Sequence, residues 1–373
     1  MRILLLGELS GVHQELRRSL QADGHEVVTG HSRLATAEFP SDIPLFRPSG
    51  HAPTRIDHVR EMSSQLWNAR RLTGFDIVQL ITPKFFNWKI HGQMMRFLRA
   101  RNKRLVVINT SCGSDYHRQV GRLAYSPCAE CKKHDLKADN CIYDRADEQR
   151  AEHVTFAMAD AIVATSYEYA WALEDTPFRA KVSGIPLPID ISRHRPAPWP
   201  QTDRVRIWYA SNRYGMKGGV FIEQALEKLR NSPVGNQVEI IHTPRLPYDE
   251  YLRMLDSVHV VIDQASAYGT GMNGLYALAH GRVTLSGAEP EELAFAGIPA
   301  SESPVINTRP DPEQICSSLE QIVEDRVALE VLGRRSSDYV ARHHASSVVA
   351  RRYLVLYRRL LEREPVGRSL LPA

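Results

Sequence analysis

The sequence predicts an α/β fold: two β/α domains, each on a parallel sheet, facing each other across a cleft. Three observations predict it. Short apolar, β-branched runs suited to strands buried on both faces alternate with amphipathic stretches of helical period. Two proline-rich stretches, Pro186-Leu-Pro188-Ile-Asp190 and Arg195-Pro-Ala-Pro-Trp-Pro200, interrupt that pattern, and it restarts at Arg204. The 373 residues suffice for two domains with separate cores. The expected division is an N-terminal domain over 1–183, a linker over 184–202, a C-terminal domain over 203–345 and a closing segment over 346–373.

In the N-terminal half, Arg2–Leu6 reads as a strand, with a turn at Gly7, Ser10 and Gly11 and a helix over Val12–Ala22 closed by Gly24. His25–Val28 is the second strand. Ser32–Arg55 is polar and proline-containing and reads as a loop. A helix over Ile56–Leu72, a strand over Asp76–Ile81, a helix over Phe85–Ala100 and a strand over Leu105–Ile108 follow. That last strand runs into Ser111-Cys112-Gly113-Ser114-Asp115-Tyr116-His117. Polar residues at the carboxyl end of a buried strand line the cleft of open α/β sheets, so Asp115 and His117 are candidate catalytic residues. The competing reading of Asp115 is a helix cap.

Two further features stand out. The stretch Lys89–Arg104 gathers Lys and Arg beside Phe85, Phe86 and Trp88, a pattern that suits an anionic membrane surface or acceptor as well as a solvated helix face. Cys128 and Cys131 have the spacing of half a zinc site. Cys141 supplies a third ligand, and His134 or Cys112 a fourth, so a structural zinc within the Cys-rich excursion 112–141 is expected. Plain thiols or a redox pair are the alternatives.

In the C-terminal half, Arg204–Tyr209 is a strand, followed by Ser211-Asn212-Arg213-Tyr214-Gly215-Met216-Lys217-Gly218-Gly219 and a helix over Val220–Leu229. Val238–His242 is a strand and Tyr248–Asp256 a helix. Val260–Ile262 then leads through Gly269, Gly271 and Gly274 into a helix over Met272–Ala279, stopped by Gly281 before a strand at Val283–Leu285. Glycines at a helix mouth let an anion approach bare N–H groups, where the helix dipole adds about half a positive charge. Helices over Pro312–Leu332 and Ser347–Leu361 complete the chain.

Composition narrows the function. Hydrophobic content of 43% and charged content of 24% are those of a globular protein. A net charge of +4 and a pI of about 8.7 fall short of a nucleic-acid-binding extreme. No apolar run approaches the roughly 18 residues of a membrane span, and the N-terminus reads as a strand rather than a signal peptide. With five cysteines and no disulfide pattern, a cytoplasmic setting is expected, with peripheral contact at the inner face of a membrane.

These motifs, in this order, resemble a GT-B glycosyltransferase of the family 4 type. LLLGELSGVHQELRRSLQADGHEV resembles that family's first turn and helix. ADAIVATS with KVSGIPLPIDISRHRP resembles the crossover between its two Rossmann-like domains, and NRYGMKGG its donor-phosphate motif. SVHVVIDQASAYGTGMNGLYALAHGRVTLSG resembles its sugar-nucleotide signature, and DYVARHHASSVVARRYLVLYRRLL the helices that cross back to the first domain. The resemblance implies an acceptor-side N-terminal domain and a donor-side C-terminal domain. It implies a nucleotide-sugar donor held by Gly11, Arg213, Lys217, Gly271, Met272, Asn273, Gly274 and Tyr276, and a glycan or lipid-linked acceptor. The activity it implies is retaining sugar transfer in surface polysaccharide biosynthesis. Chemically, the fork of Arg213 and the point charge of Lys217 suit a diphosphate, and the Gly271–Asn273 amides suit the charge developing on it. The sequence departs from the family at Tyr268 and Tyr276, where two glutamates are usual. A hydroxyl at Tyr276 replaces a bidentate carboxylate. The alternatives are a non-catalytic relative that binds a glycan or protein, and a sugar-nucleotide epimerase.

Overall fold

A computed structural model describes residues 1–32, 41–46, 54–110, 113–119, 122–134, 141–210, 213–244 and 246–364. Most of the expected loop Ser32–Arg55, and Cys112, lie outside the described residues. The chain separates into two compact units. The first comprises Met1–His117, Ile142–Pro188 and Ser346–Ala373; the second comprises Arg118–Cys141 and Ile189–Ala345.

The first unit opens with β1 (Arg2–Leu6), α1 (Val12–Ala22), β2 (Glu26–His31), the short β3 (Ile43–Pro44) and α2 (Arg55–Trp67). It continues through β4 (Ile77–Leu80), α3 (His91–Arg101), β5 (Arg104–Asn109) and α4 (Ser114–Gln119). The chain then leaves for α5 (Pro127–His134) of the second unit. It returns with α6 (Ala146–Met158), β6 (Ala161–Ala164), α7 (Tyr167–Trp171) and β7 (Val182–Gly184). Among the described residues the strands form one parallel sheet in the order β3-β2-β1-β4-β5-β6-β7. Leu4, Val78, Val107 and Val163 are fully buried, as their apolar runs require. The order reverses at β1, so the turns after β1 and β4 lie at a topological switch point.

The second unit contains β8 (Val205–Ala210), α8 (Gly219–Arg230), β9 (Val238–Thr243), α9 (Tyr248–Ser257) and β10 (Val260–Ile262). After these come α10 (Met272–Ala279), β11 (Val283–Ser286), α11 (Pro290–Ala296), β12 (Ile306–Asn307), α12 (Pro312–Glu324) and α13 (Arg326–Tyr339). Its sheet is parallel, in the order β12-β11-β10-β8-β9. Ile207, Ile222, Leu226, Ile262, Leu285 and Leu319 form its core. The last helix, α14 (Ser346–Leu361), belongs to the first unit. Ser19 of α1 donates to Ser346 at 2.8 Å, and Tyr357 donates to Gln79 of β4 at 2.7 Å.

Three sequence expectations differ from the structure. The expected helix over Phe85–Ala100 begins only at His91. Phe85 and Phe86 are instead buried in a loop, packed edge to face with centroids 4.9 Å apart. The expected helix over Pro312–Leu332 is two helices. The Asp325 carboxylate accepts from Ala328 N at 2.9 Å, so it caps a new helix and ends the old one. Residues 118–141 group with the second unit rather than the first. Tyr125 holds them there: its hydroxyl donates to Glu289 at 2.6 Å and its ring stacks on Tyr268 with centroids 5.0 Å apart.

Candidate functional site

The glycine turn between β10 and α10 is organised by a side chain that the sequence reading did not single out. Asp263 directly follows β10 and is buried. Its Oδ1 accepts from Lys217 Nζ at 2.6 Å and from Asn273 Nδ2 at 3.1 Å. Its Oδ2 accepts from Ser286 Oγ at 3.1 Å and from Gly271 N at 3.3 Å. Burial opposes the charge, but the ammonium of Lys217 and the hydrogen bonds outweigh it and hold the carboxyl below its ordinary range. Gly274 is required here: a Cβ on it would lie 2.6 Å from Thr270 Cγ2 and 2.9 Å from Asp263 Oδ2.

Lys217 and Arg213 come from the turn between β8 and α8. Lys217 N donates to the Arg213 carbonyl at 3.0 Å, and the Lys217 carbonyl accepts from Ala265 N at 2.9 Å. This ties the turn to the chain just after β10. Arg213 is exposed and holds a left-handed backbone at φ 54°. The structure therefore brings Lys217, Gly271 and Asn273 together through Asp263. The first-turn amides of Met272, Asn273 and Gly274 have no intrahelical acceptor, as at any helix start. Lys217 retains two N–H bonds beyond the one on Asp263. The mouth of α10 is thus a set of donors around one internal countercharge.

Tyr276 lies one turn further along α10 and is buried. Its ring packs on His194, with centroids 4.4 Å apart, and on Tyr251, with centroids 6.4 Å apart. A hydrogen-bonded chain runs behind it. Tyr248 Oη lies 3.3 Å from His194 Nε2, His194 Nδ1 lies 3.4 Å from His280 Nε2, and His280 Nδ1 lies 2.7 Å from Asp256. One set of neutral tautomers satisfies the whole chain: Tyr248 donates to His194, which donates to His280, which donates to Asp256.

The first unit's helix mouth is built differently. Gly11, at φ 89°, caps α1, but Glu8 fills the space in front of it. Glu8 Oε1 accepts from Leu9 N at 2.7 Å and from His13 N at 3.3 Å, and Oε2 accepts from Gln14 N at 2.9 Å. Burial pushes this carboxyl up to about 7, against the pull of those amides. The nearby His13 gives no charge to oppose it. Its Nδ1 lies 2.7 Å from the Gly7 carbonyl, and burial lowers its pKa to about 3.

Asp115 and His117 both fall on α4 and are buried. Glu152, also missed in the sequence, accepts from Ser114 N at 2.8 Å and Asp115 N at 3.0 Å, so this carboxylate caps the start of α4. His117 Nε2 lies 2.7 Å from Asp144 Oδ1.

Of the candidates for the expected zinc ion, Cys112 lies outside the described residues, and the others are placed separately. Cys128 and Cys131 lie on α5, Cys128 buried and Cys131 half-buried. Among the described residues, Cys128, Cys131, Cys141 and His134 are not gathered as one group of ligand atoms. His134 Nε2 lies 3.4 Å from Glu130 and its ring meets Phe221 edge on. Glu289 anchors the excursion through Tyr125. Burial opposes its charge, but hydrogen bonds from Arg309, Tyr125 and Asn307 hold its carboxyl down to about 2.

No protein-family model matches the chain, and no curated protein matches it in sequence. Solved structures do match it in fold. Sucrose-phosphate synthase from Thermosynechococcus elongatus is similar with a TM-score of 0.62 and 14% identity, over 98% of this chain and 100% of that one. HepE of Anabaena, in complex with UDP and glucose, gives a TM-score of 0.60 at 11% identity, over 96% and 99% of the two chains. The catalytic domain of starch synthase IV from Arabidopsis thaliana, bound to ADP and acarbose, gives 0.63 at 13% identity, over 97% and 100%. The fold is thus that of GT-B glycosyltransferases, with two Rossmann-like β/α units.

Proposed function

We propose that this chain is a glycosyltransferase that takes a sugar from a nucleotide-sugar donor and transfers it to a glycan or lipid-linked acceptor. The observation that carries this reading is the cluster at the mouth of α10, where Lys217 and Asn273 converge on Asp263 beside the first-turn amides. A diphosphate there would accept from Lys217, from the amides of Met272, Asn273 and Gly274, and from the exposed guanidinium of Arg213. Those donors would also stabilise the negative charge that grows on the diphosphate as the glycosidic bond breaks. HepE and starch synthase IV, similar in fold, are described with UDP and with ADP respectively, which supports a nucleoside diphosphate as the group bound. Gly11 is not part of the proposed site, because Glu8 fills the mouth of α1. Asp115 and His117 are proposed as acceptor-side residues of the first unit. Retention of anomeric configuration, and a role in surface polysaccharide synthesis, belong to the same proposal.

A second reading, a relative that binds nucleotide or glycan without turnover, is favoured by one observation. Tyr276 is buried against His194, so no carboxylate is offered at the position where the resembled family has one. Incubation of the pure protein with a panel of UDP-, GDP- and ADP-sugars separates the two. The transferase reading expects slow release of the nucleoside diphosphate from one donor of the panel. Binding of a donor with no release over the reagent blank supports the second reading.

A further inference from the structure

Helix α2 of the first unit has its polarity reversed. Its buried stripe is polar: Asp57, Glu61 and Gln65, four residues apart, all face inward. Each has a polar partner there. Asp57 forms a capping box with Thr54. Glu61 accepts from Asn87 Nδ2 at 2.7 Å and from Ser32 Oγ at 3.3 Å. Gln65 donates to Ser32 Oγ at 3.3 Å and accepts from Asn87 N at 3.0 Å. Rotating the helix to hide its apolar side would leave these buried groups unsatisfied, so the orientation is fixed. The outward face carries Ile56 at 64% exposure, Val59 at 56%, Leu66 at 52% and Trp67 at 87%. Arg55, Arg60, Arg70 and Arg71 are exposed along the same stretch. The two acids between Thr54 and Leu72 are the two turned inward, so the exposed charges of this stretch are all cationic.

We propose that this face binds the surface of an anionic phospholipid bilayer. Among the described residues, Asp42 lies beside Arg71 but its carboxylate is paired with Arg17 at 3.0 Å, and apolar side chains among arginines match the boundary between acyl chains and negatively charged headgroups. Trp67 and Leu66 would enter the acyl region while the guanidinium groups stay with the phosphates. At 13 residues the helix is about 20 Å long, enough to lie along the interface, and it is not a membrane span. Pairing of this face with its own copy is opposed, because it would set arginines against arginines. The face differs from the Lys89–Arg104 stretch singled out in the sequence, where of the three aromatic neighbours Phe85 and Phe86 are buried and Trp88 is exposed. It also stands independently of the donor site.

The test is sedimentation of the full chain with large unilamellar vesicles, either pure phosphatidylcholine or containing about 30% phosphatidylglycerol to set the surface charge. The wild type is expected to sediment with the anionic vesicles and to bind the neutral ones roughly tenfold or more weakly. Leu66→Ser combined with Trp67→Ser is expected to reduce anionic binding roughly tenfold or more. Arg60→Gln combined with Arg70→Gln should weaken it and flatten its dependence on salt. These residues are exposed, so both double variants should keep the wild-type melting point and nucleotide affinity, which keeps this test separate from that of the donor site. Any of the following results would overturn the proposal. One is a wild type that stays in the supernatant with anionic vesicles, or a Leu66/Trp67 variant that sediments equally well. Another is a dimer in sedimentation equilibrium that the Leu66/Trp67 variant abolishes, which would give the face to a second copy. The last is that the part of the tryptophan emission removed by Trp67→Phe resists acrylamide quenching in the lipid-free protein, which would give the face to another segment of this chain.

Discussion

The mouths of α1 and α10 present the same sequence feature, an apolar strand, glycines and a helix, and have opposite electrostatics. At α1 the Glu8 carboxylate lies directly on the helix amides of His13 and Gln14, at 3.3 and 2.9 Å, with no ammonium or guanidinium partner among the described residues. Its proton is therefore retained to about pH 7. At α10 the Asp263 carboxylate reaches one amide, at 3.3 Å, and takes most of its stabilisation from Lys217 and two side chains. One mouth is closed by the chain's own acid. The other holds its acid ionised through a lysine, and its first-turn amides lie outside the helix's own hydrogen bonds. A glycine turn alone therefore does not set the electrostatics of a helix mouth; the placement of the nearest acid relative to the amides and to a cation does.

The largest effect follows from breaking the pair at α10. Lys217→Ala leaves Asp263 buried without its countercharge, and should cost about 3–5 kcal/mol of unfolding free energy in a urea titration. Adding Asp263→Asn to that variant should recover a large part of the loss. If the double variant is as unstable as Lys217→Ala, the ion pair is not what organises the turn.

The mouth of α1 should show itself through pH. A folded Glu8 near 7, against 4.5 for an unperturbed glutamate, holds its proton more tightly than the unfolded chain does. Stability should therefore fall as pH rises through that window, by about 3 kcal/mol if the full shift is expressed. Glu8→Gln removes the titration and should flatten that segment of the stability–pH curve. A slope in the variant equal to that of the wild type would assign it to other groups.

A smaller effect sharpens the picture of α10 itself. Because the Tyr276 ring is buried against His194 and Tyr251, Tyr276→Phe should change stability by about 0.5–1.5 kcal/mol and leave nucleotide affinity unchanged. A tenfold loss of affinity at an unchanged melting point would instead assign the hydroxyl to the donor.

The sequence read well where local chemistry decides the outcome. Val260–Ile262 and Met272–Ala279 form the strand and helix that their β-branched run and glycine boundaries indicate. It read less well where the deciding partner is distant. Asp263 in Asp-Gln-Ala-Ser looks like an ordinary turn acid, and its meaning comes from Lys217, 46 positions earlier. Glu8 looks like a solvated loop residue until the fold buries it. The period of α2 shows a helix but not which face is inside, since Ile56, Val59 and Leu66 are the obvious core candidates and are the residues left exposed. The Cys-x2-Cys pair drew attention to a metal, whereas the anchor that the structure shows for this segment, Tyr125 on Glu289, joins residues 164 positions apart that no local pattern links.

The central claim is that the mouth of α10 binds a nucleoside diphosphate, and calorimetric titration of UDP into the wild type and into Arg213→Gln tests it most directly. Arg213 is exposed, so its replacement separates ligand binding from the structural role of Lys217. The account predicts saturable binding to the wild type, weakened in the variant by about 1.5–3 kcal/mol, the loss of one charged hydrogen-bonding group, with the melting point unchanged. Equal affinity in the two proteins, or no saturable binding of UDP, GDP or ADP to either, would contradict it.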